Sequence, residues 1–172
     1  MKLKRALTRG IRTLSRLAAE LRRGARARGA PSPEHAGRLR DLDIMSRTVW
    51  GEARSEDFAG MLAVAQVIRN RTRTKWARGT LADVCLAPAQ FSCWNANDLN
   101  RPLLDTVTLD DDAYLVAYGI CCLVVAGEWD DPTGRATHYH NKNMSPYPNW
   151  ASSPQMVRTV EIGRHVFYRE HR

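Results

Sequence analysis

Apolar residues recur three and four positions apart through the middle of the chain, which indicates helices rather than strands. The clearest run predicts a helix from about Asp57 to Arg71. Its core face carries Phe58, Met61, Leu62, Ala65 and Ile68. Before it, Asp41 or Asp43 can cap a shorter helix that ends near Gly51. After it, DDDAYLVAYGICCLVVAGEW at residues 110–129 predicts a third helix. Three aspartates at its start suit the helix dipole, and residues 113–126 are apolar almost all round, so the helix should be central.

Alternating patterns appear only near the C-terminus. ATHYHN at residues 136–141 and HVFYRE at residues 165–170 predict two short strands, with KNMSPYPNWASSP looping between them. The stretch between the second and third helices is rich in loop residues, apart from a helical turn at LADVCL. Helices followed by a small antiparallel sheet indicate an α+β domain that is mainly helical.

Charge divides the chain into two parts. Residues 1–40 contain 12 Lys and Arg against 2 Asp and Glu, whereas residues 41–172 contain 14 against 16. We therefore predict a basic N-terminal arm and linker over residues 1–40, and one near-neutral domain over residues 41–172. The hydrophobic fraction of 44% is enough for a packed core at this length.

The arm predicts a basic amphipathic helix over residues 2–28. Leu3, Leu7, Ile11, Leu14, Leu17 and Leu21 form its apolar stripe. Such a helix suits an anionic membrane surface. The alternatives are a solvated, marginal helix and a nucleic-acid contact, although the rest of the chain has no specific nucleic-acid motif. The arm lacks the continuous apolar run of a Sec signal, so synthesis in the cytoplasm is expected.

Glu52 is the first candidate for chemistry. It follows Trp50 and Gly51 at the predicted end of a helix, where the negative end of the helix dipole and an apolar neighbour disfavour a carboxylate anion. A carboxyl that keeps its proton can act as a general acid on a glycosidic bond. A surface glutamate at a helix end is the alternative, and Arg54 opposes the acid role if it points at Glu52.

Four segments together resemble the cell-wall hydrolases related to the spore-cortex lytic enzyme catalytic domain. In order they are TVWGEARSEDFAGMLAVAQVIRNR, LADVCLAPAQFSCWN, ATHYHNKNMSPYPNWA and IGRHVFY. The resemblance covers roughly residues 41–169. It implies a lysozyme-like domain that cleaves the β-1,4 bond between N-acetylmuramic acid and N-acetylglucosamine, with Glu52 as the catalytic acid.

The resemblance also favours a lytic transglycosylase, in which one glutamate serves as acid and then as base and a 1,6-anhydro product closes. A muramidase-type hydrolase is the alternative, and it needs a second carboxylate. The nearby acids are Glu56, Asp57, Asp83 and Asp98, although the first two are typical of the first turn of a helix.

We expect a monomer that needs no cofactor and no metal, binds the glycan strands of peptidoglycan and acts on the cell wall. A phage-type endolysin, made in the cytoplasm and released through a pore, fits these expectations. The basic arm would then engage an anionic membrane after release.

Aromatic and amide side chains suggest a sugar-binding surface. In PAQFSCWN, Gln90 and Asn95 can bond sugar hydroxyls and acetamido groups, while Phe91 and Trp94 offer flat apolar faces. The alternative is that Phe91 and Trp94 fix the loop to the core, with Gln90 facing substrate. Trp150 is predicted either as a cleft wall or as a cover over the sheet.

The THYHN segment places His138 and His140 on one face of a strand and Tyr139 on the other. The resemblance puts this tyrosine and these histidines near the cleft, with Tyr139 as the second candidate after Glu52. A rival reading is a zinc-dependent peptidoglycan amidase that uses the two histidines with His165 or Glu161. No HExxH or CxxC motif supports that rival.

Four cysteines remain. Cys121 and Cys122 lie in the apolar helix and are predicted core residues. Cys85 and Cys93 are close enough in sequence to form a disulfide in an oxidising compartment. Cys93 with His138 is a further rival, as the nucleophile and base of a papain-like amidase.

Overall fold

The structure is a computed structural model that describes residues 32–171. Five α-helices and three strands occupy this range, with 3-10 turns at Ser92–Trp94 and Asn149–Ser152. The helices are α1 (Pro33–Ala53), α2 (Phe58–Arg71), α3 (Leu81–Leu86), α4 (Arg101–Thr106) and α5 (Asp112–Ala126), and the strands are β1 (His138–Asn141), β2 (Met156–Ile162) and β3 (His165–Glu170). The predicted α+β class is confirmed. Within the described residues, no helix is both long and apolar enough to cross a membrane.

Helices α2 and α5 begin where aspartate caps them. The Asp57 side chain accepts a hydrogen bond from the Gly60 amide at 3.0 Å, and Asp111 accepts one from the Tyr114 amide at 2.8 Å. Each carboxylate satisfies an amide that has no partner within its helix. Helix α5 ends at Gly127, whose φ of 75° is the left-handed conformation of a helix C-cap. The predicted bounds of α2 are correct to within one residue. Helix α5 is shorter than the predicted helix over residues 110–129, because Asp111 caps its start and Gly127 caps its end.

Helix α1 begins earlier than predicted, so the start at Asp41 or Asp43 is wrong. Ser32 caps it through the His35 amide and Pro33 occupies the first turn. Asp43 lies inside the helix and accepts from Arg47 at 2.8 Å. The helix continues past Gly51, so Glu52 lies in its last turn. The predicted arm helix at residues 2–28 lies outside the described residues.

The core lies between α1, α2 and α5, with α3 and α4 against its side. Its fully buried side chains include Met45, Val49, Ile68, Leu104 and Ile120. Burial of each large aliphatic side chain contributes about 1.5–3 kcal/mol. Helix α2 is buried on nearly all sides because α1, α5 and the sheet surround it.

The sheet has three antiparallel strands in the order β1-β3-β2. Tyr139 pairs with Phe167 in the centre of β1 and β3. Strand β2 was not predicted, because a bulge between Arg158 and Val160 interrupts its alternation. The Thr159 hydroxyl donates to the Phe167 carbonyl at 3.1 Å across this bulge. Phe167 of the sheet packs against α2, and β1 lies beside the candidate site.

Candidate active site

An open cleft of about 810 Å³ lies between the end of α1, the loop that follows α3, and β1. Its lining includes Glu52, Arg71, Gln90, His138, Tyr139 and Trp150. Four of the six residues predicted to bind substrate therefore line it: Gln90, His138, Tyr139 and Trp150. The cleft is large enough for part of a polymeric ligand and is open to solvent along one side.

Glu52 is half-buried on one wall of the cleft, and three donors hold its carboxyl group. The Tyr139 hydroxyl donates to Oε2 at 2.8 Å. The Cys93 amide and the Ser92 hydroxyl donate to Oε1 at 3.0 and 3.1 Å. These donors come from β1 and from the 3-10 turn at residues 92–94. The orientation of the carboxyl group therefore depends on packing between three separate segments.

Gly51 explains how the end of α1 approaches that turn so closely. A Cβ atom at this position would lie 2.7 Å from Cβ of Cys93 and 3.1 Å from Cδ2 of Leu104. Ordinary carbon contacts are about 3.5–4.0 Å. The glycine before Glu52 thus allows the helix to lie near enough for Glu52 to reach the backbone amide of Cys93.

Tyr139 remains a hydrogen-bond donor. Burial raises its pKa well above the usual range, and the negative charge of Glu52 raises it further. Its ring packs edge-on against His165, with centroids 5.0 Å apart, and against Phe167 at 5.7 Å. The hydroxyl is consequently a fixed, neutral donor to Glu52.

Arg71 is a part of the site that the sequence analysis missed, since it named Arg71 only as the end of the predicted helix. Its guanidinium group is buried, and donates to the Thr137 carbonyl at 2.7 Å and the Gln90 carbonyl at 3.3 Å. It stacks over Phe91 at 4.6 Å. Burial lowers its pKa, while the charge of nearby Glu52 acts in the opposite direction. The sequence could have indicated this burial, because Arg71 is three residues after Ile68 and therefore lies on the same buried face of α2.

His165 also lines the cleft and was considered only as a metal ligand. It is buried, and its Nδ1 has no hydrogen-bond partner among the described residues. Burial lowers its pKa, and repulsion from Arg164 adds to this, although Glu56 and Glu52 oppose it. The ring therefore favours the neutral form beside Tyr139.

A row of aromatic rings forms the opposite wall. Trp150 lies 5.3 Å from His138 and 5.7 Å from His140, measured between ring centroids. It also packs edge-on against Tyr168 at 5.4 Å. Trp150 thus combines the two predicted alternatives, since it covers the sheet and lines the cleft. Burial, followed by the charge of Arg71, lowers the pKa of His138.

Two of the predicted sugar-binding aromatics do not reach the cleft. Phe91 is 2% exposed and lies in the core. The Trp94 indole donates to the Thr48 hydroxyl at 2.9 Å, and Arg101 covers its ring. Both side chains fix the loop to the helices, which is the alternative role that the sequence left open.

The immediate neighbours of Glu52 in sequence also differ from expectation. Trp50 is buried in the core, and its indole donates to Asp111 at 3.1 Å. Arg54 lies over the Trp50 ring at 4.3 Å and donates to Asn100 instead of pointing at Glu52. The environment of Glu52 therefore comes from distant segments.

The four other acids near Glu52 in sequence or loop position have structural partners. Asp57 caps α2, Asp83 forms a capping box with Thr80, and Asp98 accepts from the Asn100 amide at 2.7 Å. The Glu56 side chain is 5% exposed and accepts from Nε of Arg164 at 2.6 Å. Burial alone would raise the pKa of Glu56, but the hydrogen bonds and charge of Arg164 hold it below its usual range.

The residues of the two rival mechanisms are not arranged for them. Within residues 32–171, no three His, Cys, Asp or Glu side chains converge in a way that could hold a metal, and Glu161 instead pairs with Lys142 and Arg158. Cys85 and Cys93 are both free thiols in the described chain, so the disulfide that the sequence allowed is not formed. Burial and the adjacent charge of Glu52 raise the pKa of Cys93, which opposes a thiolate nucleophile.

Comparison with known proteins identifies a family model and individual relatives that match this chain. A family model described as Cell Wall Hydrolase matches residues 55–168. A spore cortex-lytic enzyme of Halalkalibacterium halodurans is 30% identical over 129 residues, which are 74% of this chain and 34% of that protein. One from Bacillus cereus is 29% identical over 130 residues, covering 74% of this chain and 43% of that protein. The chain thus spans less than half the length of these relatives.

Two solved structures share the fold. The catalytic domain of the Bacillus cereus SleB protein superposes with a TM-score of 0.62 at 27% identity, covering 76% of this chain and 91% of that one. The catalytic domain of the germination-specific lytic transglycosylase SleB from Bacillus anthracis gives a TM-score of 0.58 at 24% identity, covering 83% and 99%. The family match begins three residues after Glu52, so the role of that carboxyl group depends on the geometry around it.

Proposed function

The chain belongs to the cell wall hydrolase family, and on that premise we propose that it is a peptidoglycan lytic transglycosylase. It cleaves the β-1,4 bond between N-acetylmuramic acid and N-acetylglucosamine and leaves 1,6-anhydromuramic ends. Glu52 serves as the acid and then as the base. The similarity to spore cortex-lytic enzymes supports peptidoglycan as the substrate.

One observation carries the proposal. Glu52 is a cleft carboxyl group held by three donors, whereas Glu56, Asp57, Asp83 and Asp98 are engaged in caps, turns or an ion pair. A hydrolase needs a second free carboxylate, either about 5–5.5 Å from the first as a nucleophile or about 6.5–9.5 Å from it to activate water. A transglycosylase needs only one, because the substrate supplies its own nucleophile.

The reaction then runs through one carboxyl group. Protonated Glu52 gives its proton to the glycosidic oxygen, and the bond from that oxygen to C1 of muramic acid breaks. The Glu52 carboxylate next takes the proton of the muramic C6 hydroxyl, whose oxygen bonds to C1. Glu52 ends protonated, and no water is consumed. Tyr139, Ser92 and the Cys93 amide keep the carboxylate in place between the two steps.

The aromatic wall supports sugar binding. Trp150 and His138 present ring faces and edges to the cleft, and Gln90 supplies an amide. Flat apolar faces beside a few polar groups suit pyranose rings and acetamido groups. These residues therefore bind the glycan strand, with Glu52 and Tyr139 at the bond that breaks.

The basic arm is part of the proposal as a separate unit. The part of the arm that precedes α1, residues 1–31, contains 10 Lys and Arg against one Glu, and this charge suits an anionic membrane surface. The arm would concentrate the domain near its substrate without taking part in the chemistry.

Mass spectrometry of digested peptidoglycan tests the proposal. Purified, teichoic-acid-free peptidoglycan is treated with the wild type, with Glu52→Gln, and with Glu128→Gln as a matched exposed control. We expect anhydromuropeptides from the wild type and the control and none from Glu52→Gln. Reducing-end muropeptides would instead establish a hydrolase, and free stem peptides would establish an amidase.

A further inference from the structure

A second cavity, of about 950 Å³, lies beside the cleft where the end of α2 and its following turn meet the end of β3. Its charged lining consists of Arg73, Lys75, Arg135 and Arg169 against one carboxylate, Glu170; His171 also lines it. This basic groove contrasts with residues 41–172 as a whole, which carry slightly more acids than bases.

The four cations of the basic groove have no ion-pair partner among residues 32–171. Elsewhere on the domain, Lys142, Arg158 and Arg164 are paired with glutamates. Among the described residues, none of the four groove cations forms an ion pair or donates a side-chain hydrogen bond. Four positive charges and only one carboxylate line the groove, so an anion that enters it is attracted by the unpaired cations.

The turn that carries Arg135 is rigidly fixed. Arg135 has a φ of 65°, in the left-handed region that a non-glycine residue rarely adopts. Asp131 holds the turn by accepting from the Arg135 amide at 3.1 Å and from the Thr133 hydroxyl at 2.6 Å. Asn70 joins the same carboxylate to the end of α2 at 2.8 Å. The position of Arg135 beside α2 is therefore set by the fold.

An aromatic bridge connects the basic groove to the cleft. Trp76 lines the groove and is 43% exposed, and its ring centroid lies 5.5 Å from that of His138 in the cleft. His138 in turn lies 5.3 Å from Trp150. A branch of a ligand bound in the cleft can therefore pass over Trp76 into the groove.

We propose that the basic groove binds the free carboxylates of the peptide stems that branch from the glycan strand. This inference rests on the proposed function, because it assumes a peptidoglycan strand in the cleft. Each stem is attached at the lactyl group of muramic acid, so it leaves the strand sideways. A lateral basic groove next to the sugar-binding wall suits such a branch, and guanidinium groups suit its carboxylates.

Binding to soluble glycan strands tests the inference independently of catalysis. The Glu52→Gln protein is titrated with three fluorescent strands: one with free-acid stems, one with chemically amidated stems, and one stripped of stems. The same titrations are made after adding Arg73→Gln/Arg135→Gln. The matched control is Arg38→Gln/Arg40→Gln, which removes two exposed cations from the start of α1.

We expect Glu52→Gln to bind the free-acid strand about tenfold more tightly than the amidated strand, because two or three exposed ion pairs supply a difference of this size. The preference should disappear in Arg73→Gln/Arg135→Gln, persist in the control, and weaken as salt increases. Equal affinity for free-acid and amidated stems, equal loss in both double variants, or no binding to any strand would overturn the inference. Cleavage of stripped strands by the wild type separately tests the glycosidase activity.

Discussion

Gly51→Ala is the sharpest test of how the site is built. The added methyl carbon would lie 2.7 Å from Cβ of Cys93, 3.0 Å from its Sγ, and 3.1 Å from Leu104. The Cys93 Cβ is fixed by its backbone and cannot rotate away. To restore a contact of about 3.5 Å, the end of α1 and the turn at residues 92–94 must separate by about 0.8 Å.

That separation acts directly on Glu52. Its bonds to the Cys93 amide and the Ser92 hydroxyl are 3.0 and 3.1 Å long. Lengthening each by about 0.8 Å takes both beyond hydrogen-bond range, while the bond from Tyr139 can remain. We expect a loss of about a hundredfold in kcat from the misplaced carboxyl group. Overpacking should also cost about 1–3 kcal/mol in the free energy of unfolding.

The assay combines initial rates of glycan cleavage with thermal and urea unfolding. Gly37→Ala is the control within the same helix, because no atom of the described part of the chain lies within 4 Å of the added carbon. It should keep full activity and gain about 0.5–1 kcal/mol. Adding Cys93→Gly to Gly51→Ala removes the two nearest atoms and should restore part of kcat. A folded Gly51→Ala protein with wild-type kcat would refute the reasoning.

Three further predictions concern the carboxyl groups and the arm. Tyr139→Phe removes a hydrogen-bond donor from Glu52, and we expect kcat to fall about ten- to a hundredfold with little change in KM. If Glu52→Gln and Glu52→Gln/Tyr139→Phe lose the same amount of activity, the hydroxyl acts through Glu52. The pKa of Glu56 is lower in the folded protein than its value of about 4.3 in the unfolded chain, so ionised Glu56 stabilises the fold above that pH, and this stabilisation is lost as pH falls through the folded pKa. The free energy of unfolding of Glu56→Gln, measured in urea between about pH 3 and 6, should therefore depend less on pH than that of the wild type. An unchanged pH dependence would contradict the role of Arg164. Deleting residues 1–31 should leave cleavage of purified peptidoglycan intact and reduce binding to anionic vesicles, whereas equal loss in both assays would contradict a membrane role.

The sequence predicted those helices that begin at a side-chain cap and contain a continuous run of buried apolar residues. Helix α2 met both conditions, with Asp57 at its start and a continuous apolar face. The first turns of α1 met only one, since residues 33–40 are exposed and only the residues at their start, Ser32, Pro33 and Glu34, are typical of a helix start. Strand β2 met neither, because the bulge at Thr159 disrupts its alternation. Local patterns report burial, so exposed or irregular segments escape them.

The residues of the candidate site also differ in how well the sequence predicted them. Glu52 and Tyr139 were predicted through the family resemblance. They lie 87 positions apart in sequence, yet the Tyr139 hydroxyl is 2.8 Å from Oε2 of Glu52. Phe91 and Trp94 were misplaced because an aromatic side chain that fixes a loop has the same sequence signature as one that binds sugar. Arg71 was missed because a basic residue at a helix end has an ordinary explanation in the helix dipole.

Arg71 links the geometry of the cleft to its chemistry. Burial of a guanidinium group costs several kcal/mol unless it is paired and hydrogen-bonded. The two carbonyls that it bonds belong to Thr137, next to the start of β1, and to Gln90, in the loop after α3, so this cation joins these two segments. Its positive charge also acts on Glu52, and that interaction is strongest when Glu52 is the anion left after proton donation. The residue that joins the start of β1 to the loop after α3 therefore also stabilises the charge that the proposed reaction creates.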